Sequence, residues 1–543
     1  MCQMSNDDAK VMNGADGDAS SKFGLNLSGT THHSRRKFLH GAAALGIAGV
    51  GMSTSAVASN GTAYDDEYEH VVNIVDAGAD NTGSASISPI LEAERRDHTL
   101  FYFPPGEYYM DSQFRFTKFE RFGVIGEDAT LIPANYYDFD GPRFRLFRLG
   151  TKDRPSGHVR FEGFDVDQTA PDTGIRVIDT YATDRLEVRD VTIRGEHDSG
   201  TWGPGHFNIA DPDGTGIVDR FRAPDGGAWV ENTPHEGNSW RGPIGIEANQ
   251  NRGSLTFKNC ELGAFPDNGL YAAGSKGTIT VDGGTFRNSN GANIRIGGPE
   301  SVVQNVTVNI DHTREQDRSQ RGIRLENGRD MLVRNVEVIN SSPLPTSRAI
   351  SVMNSCKGVR IEDSSIQLSG NDVIHGIVAS PHSGEILVEF SEIIHETSGG
   401  YPVWIRGRDN PNPVHLRAVE ISGEAGDAAG FRDSIRCVRD GCRFSYCELS
   451  QRGRNGVNRN GLVIKGSDTT VYQGTLRAER FPYVDQGADN LLRNAHVESY
   501  RDNVEAVRLY SGVENPVFRV NVLVNGIQDL GATGVTTWRN TIK

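Results

Sequence analysis

LTFKNCEL, residues 255 to 262, carries apolar side chains at its first, third, sixth and eighth positions: Leu255, Phe257, Cys260 and Leu262. Alternation with a period of two marks a strand with one buried face, and the skip between third and sixth positions marks a two-residue corner. The phrase occurs thirteen times: VRFEGFDV, LEVRDVTI, LTFKNCEL, ITVDGGTF, SVVQNVTV, MLVRNVEV, VRIEDSSI, ILVEFSEI, VHLRAVEI, CRFSYCEL, TTVYQGTL, NLLRNAHV and VFRVNVLV, starting at 159, 186, 255, 279, 301, 331, 359, 386, 414, 442, 469, 490 and 517. Apart from one jump of 69 between 186 and 255, successive starts lie 21 to 30 residues apart, the period of a solenoid coil. The fifth position is Asp190, Asn259, Asn305, Asn335, Asp363, Asn494 or Asn521 in seven copies and Gly163 or Gly283 in two more. These residues tolerate the left-handed backbone that a sharp corner needs, so the recurring asparagines read as structural.

A second apolar strand follows most copies: GIEA, GLYA, NIRI, GIRL, AISV, GIVA, PVWI, SIRC and GLVI. Several strands per coil, joined by tight corners and stacked coil on coil, make an all-β fold, a right-handed parallel β-helix. A β-propeller needs longer repeats of antiparallel strands, and a leucine-rich solenoid needs its own leucine and asparagine spacing. The array is interrupted over 195–244, which is rich in Gly, Pro, Asp, His and Trp and reads as an inserted loop without a repeat. Loops of that length are usually functional or disordered, and its tryptophans argue against disorder.

The 543 residues fit one elongated domain, because each coil of a solenoid touches only its neighbours. Gly at 63 residues is high and 36% hydrophobic is low, which suits a narrow, turn-rich core. With 71 acidic against 56 basic residues and a net charge of −15, no global attraction to nucleic acid or to an anionic membrane is expected. Of the basic residues 10 are Lys and 46 are Arg; Arg suits bidentate recognition of carboxylate or sulfate, and equally follows from genomic base composition.

Ser34-Arg35-Arg36-Lys37-Phe38-Leu39, an apolar run from Gly41 to Val50, and Ala56-Val57-Ala58 resemble a twin-arginine export signal with its cleavage site. Residues 1–59 therefore read as leader and signal, 60–70 as a polar linker, 71–156 as an N-terminal cap and 157–543 as the β-helix. The expected location is extracellular or at the cell surface, without stable membrane insertion, since the apolar run is too short to span a bilayer well. Beyond the leader, Cys260, Cys356, Cys437, Cys442 and Cys447 read mainly as small buried hydrophobes. An oxidising compartment would permit Cys442 to pair with Cys437 or Cys447.

Val75-Asp76-Ala77-Gly78-Ala79, a short helix expected over 88–95, and a strand-like run from Thr99 through Pro104-Pro105-Gly106-Glu107-Tyr108 to Met110 resemble the opening of the pectate-lyase-like superfamily. The resemblance implies that this segment closes the open end of the helix. The usual aspartate-rich start is replaced by Ser84-Ala85-Ser86-Ile87-Ser88, so the match bears on architecture more than on activity.

On the second strand Ile246, Leu270, Ile294, Ile323, Ile350, Ile377, Val403, Ile435 and Leu462 should point inward. Their successors Glu247, Tyr271, Arg295, Arg324, Ser351, Val378, Trp404, Arg436 and Val463 should then form an outward ladder with rungs ~4.8 Å apart. Asp267 and Asn268 join the same patch beside the insertion. A face bearing aromatic rings and guanidinium groups suits an acidic polysaccharide, with Tyr271 stacking on a sugar and Arg forking onto a uronate. Trp202, His206, Asn268 and Trp404 are further substrate-binding candidates. The reaction this suggests is β-elimination, in which a base removes the proton beside the carboxylate and the developing enolate is neutralised. Arg295 or Arg324 would neutralise, as Arg does in the related lyases; His206, His235 and Tyr271 are candidate bases, and Glu247, Asp267 and Asp213 candidate calcium ligands.

Other readings stay open. The charges can be a solvated strand face held by cross-strand pairing. Glu247 and Asp267, with Glu236 or Asp213 as alternatives, could serve as the carboxyl pair of a glycoside hydrolase, although the polygalacturonase signatures are not found in order. Thr233-Pro234-His235-Glu236-Gly237 partly resembles the D-P-H-E phrase of alginate epimerases without its leading aspartate. A non-catalytic surface protein that binds glycans is the remaining class.

Overall fold

The computed structural model describes residues 67–140, 144–234, 241–342, 344 and 347–543. The stretches read as leader and export signal, and most of the stretch read as linker, lie outside the described residues, as do His235 and Glu236. From His70 onward the chain winds as a right-handed parallel β-helix in which every strand pairs in parallel with its counterpart in the next coil. Ser254–Leu262, for example, pairs with Ile279–Arg287, matching Leu255 to Ile279, Phe257 to Val281 and Leu262 to Phe286.

The interior is filled by the alternating positions of the phrase. Leu255, Phe257, Cys260 and Leu262 are buried, as are Val333, Val336 and Val338 three coils on. Each such side chain contributes about 1.5–3 kcal/mol of burial, and stacking like on like gives one continuous core from Ile74 to Leu523. All five described cysteines are buried thiols, and Cys260 and Cys447 occupy the same sixth position of their phrases.

The corner residue is left-handed in copy after copy: φ is +51° at Asp190, +50° at Asn259, +57° at Asn305 and +49° at Asn335. The Asn side chains also bond along the stack, Asn335 Nδ2 to Asn305 Oδ1 at 2.7 Å and Asn305 Nδ2 to Asp282 Oδ1 at 2.7 Å. Where Phe390, Ala418, Tyr446 or Gln473 takes the corner, φ is still positive. The backbone strain there, about 1 kcal/mol or more each, is borne by the stacked neighbours. In the last copy the corner is Val520, at φ +58°, and not Asn521. The phrase begins one residue earlier than its sequence suggests, and Asn521 turns inward to bond the Leu492 carbonyl at 2.9 Å.

The stretch 195–244 differs from its expected form, because it contains a coil. Gly205–Ile209 pairs with Arg176–Arg194 on one side and Ile246–Glu247 on the other, and Thr215–Ala223 is sandwiched between Arg176–Arg194 and Ser254–Leu262. GIVDRFRA, 216–223, is a further copy of the phrase with Gly216 in first position and Arg220 at the left-handed corner, φ +54°. Val218, Phe221 and Ala223 are its buried residues. Among the described residues of the stretch, 195–204, 210–214, 224–234 and 241–244 lie outside its two strands.

At the N-terminal end the expected helix forms over Ser88–Ala93, and the run from Thr99 splits into Thr99–Phe103 and Gly106–Met110. Pro at its second position starts the helix favourably, and Leu91 anchors it to the core. Arg95, just past it, donates to the Arg115 carbonyl at 2.8 Å and lies over Phe116, tying the helix to the strand Phe114–Phe116.

Candidate functional site

The outward ladder runs along the stack of second strands. The cross-strand register makes Arg115, Arg148, Asp179, His206, Glu247, Tyr271, Arg295 and Arg324 successive rungs, continued by Ser351, Val378, Trp404 and Arg436. The order expected from Glu247 to Arg436 is therefore found, preceded by four rungs the sequence did not disclose. Exposure departs from expectation at Ser351, Val378 and Val463, which are buried. Val463 is covered by Phe481 and Val484, and Val378 lies between rungs with large neighbours.

Tyr271, Arg295 and Arg324 form the central patch. The Arg295 guanidinium lies 4.5 Å from the Tyr271 ring centre and makes a forked pair with Glu326, at 3.2 and 3.0 Å. Arg324 Nε also meets the Glu326 carboxylate. Glu326 is buried and holds both arginines in fixed geometry. It lies two residues beyond Arg324 on the same strand and so on the same face. Arg321 and Arg348, paired across adjacent strands, stand beside them. Burial, with Arg324 and Arg348 alongside, pulls the Arg321 guanidinium below an ordinary arginine, though it stays charged. Arg295 and Arg324 thus share the buried carboxylate of Glu326, with Arg321 close enough to feel it.

Asp267 is buried against this patch and accepts the Asn268 amide at 2.8 Å. Burial pushes its carboxyl above the usual range, against the pull of Arg295 and Arg241, and Glu247 adds to the rise. Burial likewise raises the Tyr271 phenol, which keeps its proton at neutral pH and does not fit the role of base. Glu247 stands 3.7 Å from Arg176.

The four earlier rungs build a second, denser arrangement. Asp179 is 2% exposed at its side chain and is met by Arg145 Nε, by Arg148 at 3.7 Å and by Arg176 at 4.0 Å. His206 Nδ1 lies 2.8 Å from the other carboxylate oxygen. Burial alone would raise the Asp179 carboxyl, but His206, Arg145 and Arg176 outweigh it and hold it far below the carboxylate range. Asn208 Oδ1 accepts the Gln250 backbone N–H at 2.9 Å, so its amide donates to His206 Nε2 at 2.8 Å. That assigns the imidazole proton to Nδ1, donated to Asp179. Tyr181, whose ring meets His206 edge-on, bonds Gln250 at 3.2 Å, and burial raises its phenol. Arg145, Arg148, Asp179, Tyr181, His206 and Gln250 help to wall a cleft of about 920 Å3, whose rim also carries Arg115, Lys152, Asp140 and Asp153.

Three described residues of the stretch 195–244 meet this face: His206 is a rung, the Gly203 carbonyl accepts Arg176 Nε at 2.9 Å, and Arg241 acts on the Asp267 carboxyl. Trp202, next to Gly203, is half exposed. Trp404 sits three rungs beyond Arg324, with Arg406 4.9 Å from its ring centre and His375, Tyr401 and Phe431 against it. Asp213 is exposed in a turn closed by the Asp211 carboxylate. Among the described residues no three His, Cys, Asp or Glu side chains are grouped as a metal site.

A family model described as a right-handed β-helix region matches residues 238–393. No curated protein sequence matches the chain. Among solved structures it is similar to a surface adhesin of Streptococcus pneumoniae, at 9% identity over 87% of this chain and 100% of that one, with a TM-score of 0.26. It is also similar to the catalytic unit of a GH87 α-1,3-glucanase from Streptomyces thermodiastaticus, at 13% over 87% and 68%, TM-score 0.36. The A-module of an Azotobacter vinelandii mannuronan C-5 epimerase is similar at 10% over 87% and 99%, TM-score 0.22.

Proposed function

We propose that the protein is exported, binds an acidic polysaccharide along the outward ladder, and cleaves it by β-elimination at the central patch. The observation that carries this reading is the pairing of Arg295 and Arg324 with the buried carboxylate of Glu326, with Arg321 alongside and the Tyr271 ring next to Arg295. A uronate carboxylate entering there meets guanidinium groups held by Glu326. Those groups offset the negative charge that grows as the proton beside the carboxylate leaves. Asp267, with its raised proton affinity, is the base that accepts it. Tyr271 supplies the stacking face and keeps its phenolic proton.

Hydrolysis is the second reading, favoured by one specific observation: Glu247 acts on the raised carboxyl of Asp267, so two carboxyl groups share the patch. One experiment separates these outcomes. The mature protein, Asp267→Asn and Arg324→Ala are incubated with pectate, alginate and sulfated polysaccharide, and products and binding are followed together. The expected result is ultraviolet absorbance from a new double bond conjugated to a carboxylate, reduced by about 100-fold or more in Asp267→Asn while binding persists. Reducing ends without unsaturation would select hydrolysis. Binding without product would leave a glycan-binding protein, and absence of binding would reject the reading as a whole.

A further inference from the structure

The corner of the repeated phrase changes its residue type over one part of the array. Successive corners are Asn305, Asn335, Asp363, Phe390, Ala418, Tyr446, Gln473 and Asn494, all with φ between +49° and +58°. Asn and Asp enter that left-handed region readily, whereas a bulky side chain there is an outlier held under strain. Phe390 and Tyr446 accept the strain and yet bury little, being 56% and 45% exposed. A corner chosen for the fold alone would carry Asn at both places, as it does at Asn305 and Asn335. Strain kept at two exposed aromatic rings points to contact with something outside the chain.

The register of Glu389 to Arg417 and of Arg417 to Ser445 sets Phe390 beside Ala418 and Ala418 beside Tyr446. The two rings therefore stand two coils, about 9.6 Å, apart, with only a methyl group between them. Tyr472, one residue before the next corner, meets the Tyr446 ring edge-on at 5.8 Å between centres. Arg417 lies 5.7 Å from the Phe390 ring centre and Arg493 5.8 Å from that of Tyr472. Glu389, next to Phe390, is buried and paired with Arg417 at 3.4 Å. This stripe follows the corner within the first phrase of each coil, and the ladder follows the second strands.

Two exposed rings and a half-buried third offer far less surface than the ~800 Å2 per side of a stable protein interface. A sugar ring needs less, since its C–H face is matched by one aromatic ring while its hydroxyl groups stay in water. Rings spaced along the axis of a solenoid suit a chain molecule lying on its surface. We infer that Phe390, Tyr446 and Tyr472 form a second glycan-binding surface, which stacks the pyranose rings of a polysaccharide chain along this corner edge. The inference rests on neither the ladder nor the cleavage chemistry. Stacking is not an interaction between charges, so it persists at salt that screens the arginines of the ladder.

The test passes the whole protein and a Phe390→Asn, Tyr446→Asn double variant over columns of immobilised pectate, alginate and a neutral β-glucan. Each column is run at low salt and at about 1 M salt, where charges more than about 3 Å apart are screened, and urea unfolding of both proteins is followed alongside. At high salt the wild type is expected to remain retarded on at least one column, and the variant to bind there about fivefold or more weakly. The variant is also expected to unfold at a higher urea concentration, because Asn relieves both corners. No retardation of the wild type at high salt, a variant retarded like the wild type, or a variant that unfolds at a lower urea concentration each overturns the second surface. None of these results touches the ladder, which is read separately from low-salt retardation and its loss in Arg324→Ala.

Discussion

His375 accepts the backbone N–H of Tyr401 on Nδ1 at 3.1 Å, inside a cage made by Tyr401, Trp404 and Phe431. Burial, with Arg348 and Arg406 nearby, lowers its pKa to about 3, so the folded ring stays neutral where the unfolded one, near pH ~6.5, has begun to charge. Between those values the unfolded chain binds a proton that the folded chain does not, and stability falls as acid is added, by up to about 1.4 kcal/mol per pH unit. His197 and His395 act with the same sign. His375→Asn keeps an acceptor in place and removes the titration. Urea unfolding at pH 7 and pH 5 should therefore show the wild type losing about 2 kcal/mol more than the variant; equal losses would mean that the ring is already protonated in the fold. At this scale the sequence was legible for side-chain direction and not for partners. Glu247, Tyr271, Arg295 and Arg324 face outward as their spacing implies, yet the arginines are committed to Glu326. The R-L-E spacing of residues 324–326 contained that signal, since residues two apart on a strand share a face. Asp179 and Arg148 stayed hidden because their strands, RVIDTYA and RLFRL, carry apolar residues on both sides and read as core.

The coil is held at its irregular side by arginines that a sequence reading assigns to solvent. Arg439 is wholly buried, and its guanidinium bonds the carbonyls of Ser380 at 2.8 Å, Asn412 at 2.9 Å and Arg406 at 3.1 Å, with the Ser383 hydroxyl at 3.0 Å. Arg459 repeats the device one coil on, reaching the carbonyls of Gly426 at 2.6 Å, Phe431, Asp433 and Gly400 at 3.1 Å each. Turns that leave the sheet have carbonyls without ladder partners, and one planar five-donor group satisfies several of them at once. Arg439→Met keeps the length and apolar stem but strands those acceptors, at a cost of about 1–3 kcal/mol for each one left dry. A loss of at least about 3 kcal/mol in denaturant unfolding, with the β-rich circular dichroism retained, is expected; a loss under about 1 kcal/mol would mean that water replaces the guanidinium. The repeat itself was readable from Leu255, Phe257, Cys260 and Leu262, because a buried stack demands the same pattern in every coil. The copy at 216–223 escaped since Gly216 and Arg220 replace the apolar first residue and the usual Asn corner. The geometry survives because Val218, Phe221 and Ala223 still fill the interior.

Taken as a whole, the chain has an acidic balance of −15 and a face on which Arg115, Arg148, Arg295 and Arg324 are rungs of one row. On the proposed reading, an acidic polymer is repelled by the molecule at large and held where the row concentrates positive charge. The seven rungs from Arg148 to Arg324 span about 29 Å at the spacing of neighbouring strands. That extent could not be read from sequence alone, because it depends on the extra coil in 195–244 and on strands whose outward residues looked buried. The most direct measurement is the affinity of uniform acidic oligosaccharides for the whole protein as a function of their length, against neutral oligosaccharides of the same lengths. The account predicts that affinity for the acidic series climbs until the oligomer spans the row from the cleft to Arg324 and then levels, with the neutral series weak throughout. Affinity that is already level at the disaccharide, or equal in the two series, would contradict it.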